Sequence, residues 1–341
     1  YTWTNSNPAI GLPANGNGDV PGFTAQNNTT YPLSAIITVT PVLNGCTGLP
    51  SSYTITVNPL PQVSNLSLTQ AICSGSNSNE VTLTSNIQGT TFTWTAAASS
   101  YIEGFTAKGT GTIPVQFLTN TSSSAGTISY LITPFLNDCA GPSSEYTIVV
   151  NPLPAAVLSG STTACYGGTT TLNVNLTGTA PWTITYTDGI TPVTISGINT
   201  NRYSFNVTSN TTKTFTIISV SDGLSCNGKG SGSAIVIQPA RPVNATAASS
   251  NINCYGANNG ILKVQTSVGG FGTYEYSINE GQSWQKSTTF TGLAPGTYVL
   301  QVRDAEHPEC ITVVSSSYRI TQPSAPISIT STKSDPTCFD G

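Results

Sequence analysis

Charge is what this chain has least of. Only 7% of its 341 residues are Asp, Glu, Lys or Arg, against roughly a quarter in ordinary domains, and Ser, Thr, Asn and Gly stand in their place. Ten basic and 14 acidic residues leave a net charge of −4. With no basic patch to hold phosphate, nucleic acid is not an expected partner. There is one histidine, His307, and no methionine. An active site needs a nucleophile, a base and charge stabilisers converging in a cleft, so catalysis is not expected. Glu275 and Glu280 flank a turn at Asn279-Glu280-Gly281, a poor place for the facing carboxylates of glycoside cleavage. No apolar run approaches the roughly 20 residues that span a bilayer, which excludes direct membrane insertion by a helix. The chain opens without Met or a signal-like segment and reads as the interior of a longer secreted protein.

What is present is alternation with a period of two. Leu172, Val174 and Leu176 alternate with Asn, as Trp182, Ile184 and Tyr186 do with Thr, and Tyr298, Leu300 and Val302 form a third such row. These are half-buried strands. No segment shows helical spacing with caps, and Gly, Pro and Asn clusters interrupt the strands at short intervals. The expected fold is all-β: a tandem array of immunoglobulin-like antiparallel β-sandwich domains joined by short Pro-rich linkers. Trp94 and Trp182 fall where a sandwich places a core tryptophan.

The text repeats at domain length. Val39-Thr40-Pro41-Val42-Leu43-Asn44-Gly45-Cys46 returns as Ile132-Thr133-Pro134-Phe135-Leu136-Asn137-Asp138-Cys139, an offset of 93 (139 − 46), and both lead into a Tyr-Thr-Ile strand and an Asn-Pro-Leu-Pro linker. Repeats of this size mean small modules in series. Proline-marked joints at Asn58–Pro61, Asn151–Pro154, Gln238–Pro242 and Gln322–Pro326 divide the chain into 1–60, 61–153, 154–240 and 241–323, with 324–341 opening a fifth. Proline fixes its own φ and holds the preceding residue extended, so such joints transmit direction. A semi-rigid rod is expected, on the order of 150 Å for four modules in line.

Of the eight cysteines, six fall one early and one late in the second, third and fourth modules, while Cys46 is a late one in the first and Cys338 an early one in the fifth. The expected disulfides are Cys73–Cys139, Cys165–Cys226 and Cys254–Cys310, with Cys46 and Cys338 left unpaired by truncation, their partners expected upstream of Tyr1 and beyond Gly341. Closing loops of this size would stabilise each module by roughly 4 kcal/mol in the chain-entropy model. Zinc wants closely spaced cysteines and histidines. None occur, and no metal or other cofactor is expected. Asp304, Glu306 and Glu309 beside His307 form the one acidic cluster, read as a solvated loop before Cys310.

The fourth module carries the most specific text. Cys254-Tyr255-Gly256-Ala257-Asn258-Asn259-Gly260, Gly269-Gly270-Phe271-Gly272-Thr273-Tyr274-Glu275-Tyr276-Ser277-Ile278, Leu293-Ala294-Pro295-Gly296-Thr297-Tyr298-Val299-Leu300-Gln301-Val302-Arg303-Asp304 and Cys310 together resemble the SprB-type repeat of Bacteroidota surface adhesins. The terminal Asp335-Pro336-Thr337-Cys338-Phe339-Asp340-Gly341 resembles the opening of another. Modules one and two are similar to the PKD-like, immunoglobulin-like repeats of the same giant proteins; the third fits loosely. The resemblance implies a very large protein exported by the type IX secretion system, anchored at the outer membrane, and involved in attachment or gliding motility. It implies no catalytic residue.

The expected role is therefore a structural stalk segment of a filamentous cell-surface adhesin, extracellular and anchored through the parent protein. Its partners would be other domains of the same chain, with surface polysaccharide or other cells as further candidates. Thr-rich edge strands would permit lateral association into fibres. The alternatives are a carbohydrate-binding module array, in which Trp284, Tyr255 or Phe271 would stack on sugar rings, and an accessory region of a secreted hydrolase.

Overall fold

The computed structural model describes residues 1–65 and 67–334. Cys338 and the last seven residues of the expected fifth module, 335–341, lie outside them. Among the described residues there is no α-helix, and the one helical turn is the 3-10 segment Pro8–Ile10, whose cap Asn7 accepts from Ala9 N. Everything else regular is strand. The chain divides into two compact units: Tyr1–Leu153 together with Leu224–Cys226, and Pro154–Gly223 together with Asn227–Gly341. Each holds two separate hydrophobic cores.

In the first unit, Trp3, Ile10, Leu12, Ala35 and Ile37 form the first core against one four-stranded sheet, in the order Asn15–Asn17, Thr2–Asn5, Leu33–Thr40, Ser51–Val57. The second core lies between two sheets. One contains Ile102–Glu103, Phe117–Asn120 and Ser76–Asn77; the other runs Lys108–Thr110, Thr91–Ala98, Gly126–Leu136, Ser144–Asn151, Thr69–Cys73. Alternation does the sorting here: Ile128, Tyr130 and Ile132 point inward from one strand and are fully buried, because successive side chains of a strand face opposite ways. Trp94 is 3% exposed and meets Tyr130 edge-to-face, ring centres 5.6 Å apart, a favourable arrangement of aromatic quadrupoles.

In the second unit, the third core gathers Leu172, Val174, Trp182, Ile184 and Ile217 between the sheet Arg202–Thr208, Thr169–Thr177, Ala155–Ser159, Gly230–Gly232 and the sheet Thr162–Thr163, Ala234–Ile237, Lys213–Ser221, Trp182–Thr187, Pro192–Ile198. The fourth core, with Val264, Tyr276, Leu300 and Val302 at its centre, lies between Asn244–Ser250, Gly260–Val268, Thr289–Leu293 and Tyr274–Ser277, Gly296–Asp304, Ile311–Ile320.

One departure from antiparallel pairing recurs. The short strand that precedes each early cysteine runs parallel to the last strand of its own sandwich. Thr69–Cys73 lies along Ser144–Asn151 with Cys73 level with Asn151, and Thr162–Thr163 lies along Ala234–Ile237. In the fourth core Ile252 N donates to Thr321 O, two residues before Cys254. This pairing sets each early cysteine at the end of the sandwich from which the chain leaves.

Candidate functional site

The cysteines do not pair as the spacing suggests. Cys73 bonds Cys226 and Cys165 bonds Cys310, at sequence separations of 153 and 145, so Cys73–Cys139, Cys165–Cys226 and Cys254–Cys310 do not form. The reason is position within the sandwich. Cys73 stands at the outgoing end, level with Asn151. Cys139 stands in the hairpin before the last strand, paired with Leu136, next to the incoming linker. Between them runs the eight-residue strand Ser144–Asn151, about 26 Å long. Disulfide formation needs Cα atoms within about 7 Å, which two cysteines at opposite ends of one sandwich cannot reach.

The late hairpin is held against the incoming linker by a close backbone approach. Gly141, two residues after Cys139, lies so near the linker that a Cβ would sit 1.8 Å from Pro61 O; at Gly228, two residues after Cys226, it would sit 1.7 Å from Pro154 O. Only glycine fits either place. Each late cysteine is thereby carried to the incoming end of its own module. In keeping with this, Leu224–Cys226 groups with the first unit, not with the sandwich whose strands flank it.

The Cys165–Cys310 seam is the more fully built. A small cavity of about 110 Å³ beside it is lined by Tyr166, Pro239, Pro242, Gly270, Phe271 and Ile311 among others. On the Cys165 side, Gln238 accepts from Gly167 N through Oε1 and donates to Gly168 O through Nε2. On the Cys310 side, Asp304 is fully buried and its carboxylate accepts from Phe271 N, Thr273 Oγ1 and Glu306 N. Asp304 is thus a structural acceptor that ties the 270–273 turn to the hairpin before Cys310, and is not part of a solvated loop. Burial, then the Asp304 carboxylate and Tyr276, push the Tyr274 phenol above its ordinary value. Glu309 lies close to both sulfurs, but these are bonded to each other, which leaves no thiolate pair to hold a metal.

Among the described residues Cys46, Cys139 and Cys254 are free; Cys46 and Cys254 are exposed, and Cys139 is half-buried. The bonded late cysteines are more enclosed, with Cys226 at 0% and Cys310 at 8% exposure.

The three candidate sugar-stacking aromatics have separate surroundings. Trp284 lies under the Arg303 guanidinium, 4.3 Å from ring centre to Cζ, and donates from Nε1 to Gly281 O. Arg303 in turn donates to Glu275 Oε2 through Nε and Nη2 at 3.0 and 2.7 Å. This cross-strand pair follows from the Glu275–Arg303 register, which the sequence does not reveal. Phe271 packs on His307 with ring centres 4.4 Å apart, beside the seam. Tyr255, next to Cys254, is 50% exposed.

The PKD-like domain family matches residues 70–154, the stretch that forms the second core. A search of the curated proteins finds no match. Among solved structures, the I-band fragment I67–I69 from titin is similar at 11% identity and a TM-score of 0.40, covering 79% of this chain and 100% of that one. A complex of Dpr2 Ig1–Ig2 with DIP-Theta Ig1–Ig3 matches at 9% identity and a TM-score of 0.30, over 78% of this chain and 100% of that one. Sidekick-1 immunoglobulin domains 1–5 match at 11% and 0.23, over 77% and 59%. The described chain is a tandem array of immunoglobulin-like β-sandwich domains, of which the stretch 70–154 is similar to the PKD-like domain family. Its disulfides mark an extracellular type of protein, and no helix of the described residues is long and apolar enough to cross a membrane.

Proposed function

We propose that this chain is a load-bearing stalk segment of a giant cell-surface adhesin that supports attachment or gliding motility. The observation that carries the reading is the overlap of the two disulfides. Cys165 lies inside the loop closed by Cys73 and Cys226, and Cys226 lies inside the loop closed by Cys165 and Cys310. Successive sandwiches are laced to one another instead of being pinned singly.

Lacing has a mechanical consequence. Along the backbone Cys73 and Cys310 are 237 residues apart (310 − 73), but the shortest covalent path through the two disulfides runs over only the 61 residues from Cys165 to Cys226 (226 − 165). Unfolding under load would stretch the laced segment to at most about 210 Å, against about 800 Å without the bonds. The low-charge, hydroxyl-rich surface suits exposure to a variable ionic medium, because it offers little to screen. The fourth module's text, from Cys254 to Cys310, supports placement among SprB-type adhesin repeats exported by the type IX system. The anchoring at the outer membrane belongs to the same proposal.

Single-molecule pulling between handles placed just outside Cys73 and Cys310 tests it. The expected trace stops near the shorter contour length and lengthens by several hundred ångström when a reductant is added. A trace that reaches full backbone length without reductant sinks the load-bearing reading.

A further inference from the structure

The edge strand Ser51–Val57 of the first core has its counterpart 93 residues on, in Ser144–Asn151 of the second, where Tyr53, Ile55 and Val57 correspond to Tyr146, Ile148 and Val150. On one side the two strands take equivalent partners, Leu33–Thr40 and Gly126–Leu136. A local cap repeats as well. Asn27 Nδ2 donates to Val57 O and Tyr31 O, and Asn120 Nδ2 donates to Val150 O and Ser124 O. The other side differs. Ser144–Asn151 carries the parallel strand Thr69–Cys73, with Thr147 N donating to Leu68 O. Ser51–Val57 ends its sheet, and that edge has no strand partner among the described residues.

Burial records the difference: Tyr146 is 2% exposed and Tyr53 47%. Along the open edge lies a cavity of about 520 Å³, lined by Gln26, Asn27, Ile55, Val57, Asn58 and Cys139 among others. Cys139 is the late-hairpin cysteine equivalent to Cys226 and Cys310. In both of those the sulfur is bonded to a cysteine at the end of a strand laid parallel on the last strand of the preceding sandwich. Open edge, cavity and free thiol therefore coincide at the place that is filled at the two later seams.

We propose that the Ser51–Val57 edge and Cys139 form an acceptor site for one extended polypeptide strand, which lies parallel to Ser51–Val57 and presents a cysteine level with Asn58 that joins Cys139. The occupant has the chemistry of Leu68–Cys73: a main chain to take the Thr54 N–H, apolar side chains toward the core, and a terminal thiol. An unpaired edge offers its N–H and C=O groups to such a strand. The covalent step is thiol–disulfide exchange. The Cys139 thiolate attacks a strand cysteine held in a mixed disulfide, the new S–S bond forms as the old one breaks, and the departing thiolate keeps the electron pair.

The test uses the full chain and the synthetic peptide Leu-Thr-Gln-Ala-Ile-Cys-Ser, its cysteine carried as a mixed disulfide with 2-nitro-5-thiobenzoate. Release of the coloured thiolate is timed, and the labelled cysteine is mapped by proteolysis and mass spectrometry. Strand addition raises the local peptide concentration at one thiol, so Cys139 is labelled at least about tenfold faster than Cys46 or Cys254. A scrambled peptide loses that preference, as does the chain variant Thr54→Pro, which lacks the edge N–H. Should Thr54→Pro fail to fold, N-methylation of the peptide at its glutamine removes the matching bond from the ligand side, because a parallel ladder aims that amide at the carbonyl of Thr54. Equal labelling of the three cysteines overturns the proposal. So does a Cys139 preference that survives scrambling or N-methylation, or a chain dimer through Cys139 that forms as fast with peptide present as without it.

Discussion

Cys165 and Cys310 are 145 residues apart in the chain, yet their Cα atoms lie 5.3 Å apart and their sulfurs are bonded. The bond joins the third core's first strands to the fourth core's last hairpin, and Cys73–Cys226 repeats the step one module earlier. A module in this chain is therefore not closed on itself. It holds one cysteine at each end.

Non-reducing peptide mapping should recover Cys73 with Cys226 and Cys165 with Cys310. Cross-linking a loop of this length is worth roughly 5 kcal/mol in the chain-entropy model, and measured losses of native disulfides run at about 2–5 kcal/mol. Cys310→Ser should accordingly lower the melting temperature of both cores it joins, while Cys254→Ser leaves it unchanged. A recovered Cys254–Cys310 peptide would overturn the pairing.

Gly141→Ala and Gly228→Ala each place a methyl within 2 Å of a linker carbonyl. The backbone must shift to admit it, at a cost of about 1–3 kcal/mol. Beyond the stability loss, Gly228→Ala should slow formation of Cys73–Cys226 during oxidative refolding, since it displaces the hairpin that carries Cys226. Refolding kinetics followed by thiol trapping would show this; an unchanged rate would separate the glycine from the seam.

Asp188 accepts from Thr191 N and Ile190 N and pairs with Lys213 Nζ at 3.1 Å. The backbone bond from Thr191, then Lys213, then the Ile190 bond pull its carboxyl down to about 2 from an ordinary value of 3.8. A depressed carboxylate contributes stability that is fully present above its unfolded pKa and is lost as pH falls through the folded one. The contribution of this turn should fade between about pH 4 and pH 2. Carboxyl NMR titration of Asp188 gives the folded value directly, and Asp188→Asn should flatten the acid limb of the stability curve in that window.

Trp284→Ala removes the half-buried ring beneath Arg303 and should destabilise the fourth module by about 1 kcal/mol, the scale of a partly exposed cation–π contact. Glycan-array binding of the chain should be the same with and without the substitution, because a guanidinium occupies one face of the indole. Loss of a specific glycan signal, with the melting temperature retained, would instead favour the carbohydrate-binding alternative.

Much of the architecture was legible in sequence because its cause is local. Side-chain alternation with a period of two, as in Leu172–Leu176 and Trp182–Tyr186, requires strands with one wet face, and the 93-residue return of the text around Cys46 and Cys139 requires repeated units. Near-absence of charge likewise needs no coordinates. The candidate site was not legible in the same way. Early and late cysteines alternate evenly, and that spacing is equally compatible with pairing inside a module and with pairing to the next. What decided between them is which end of the sandwich each cysteine occupies, and this depends on a parallel strand pairing, Cys73 level with Asn151, and on a glycine contact, Gly141 on Pro61. Both are long-range. The same holds for Asp304 and Trp284: an acidic loop residue became a buried acceptor and an apparent platform became the floor beneath Arg303 once strand register set their neighbours. Composition and periodicity determined that the chain folds into a series of β-sandwiches; only the tertiary structure decided that the series is laced, because disulfide partners are chosen by distance in space.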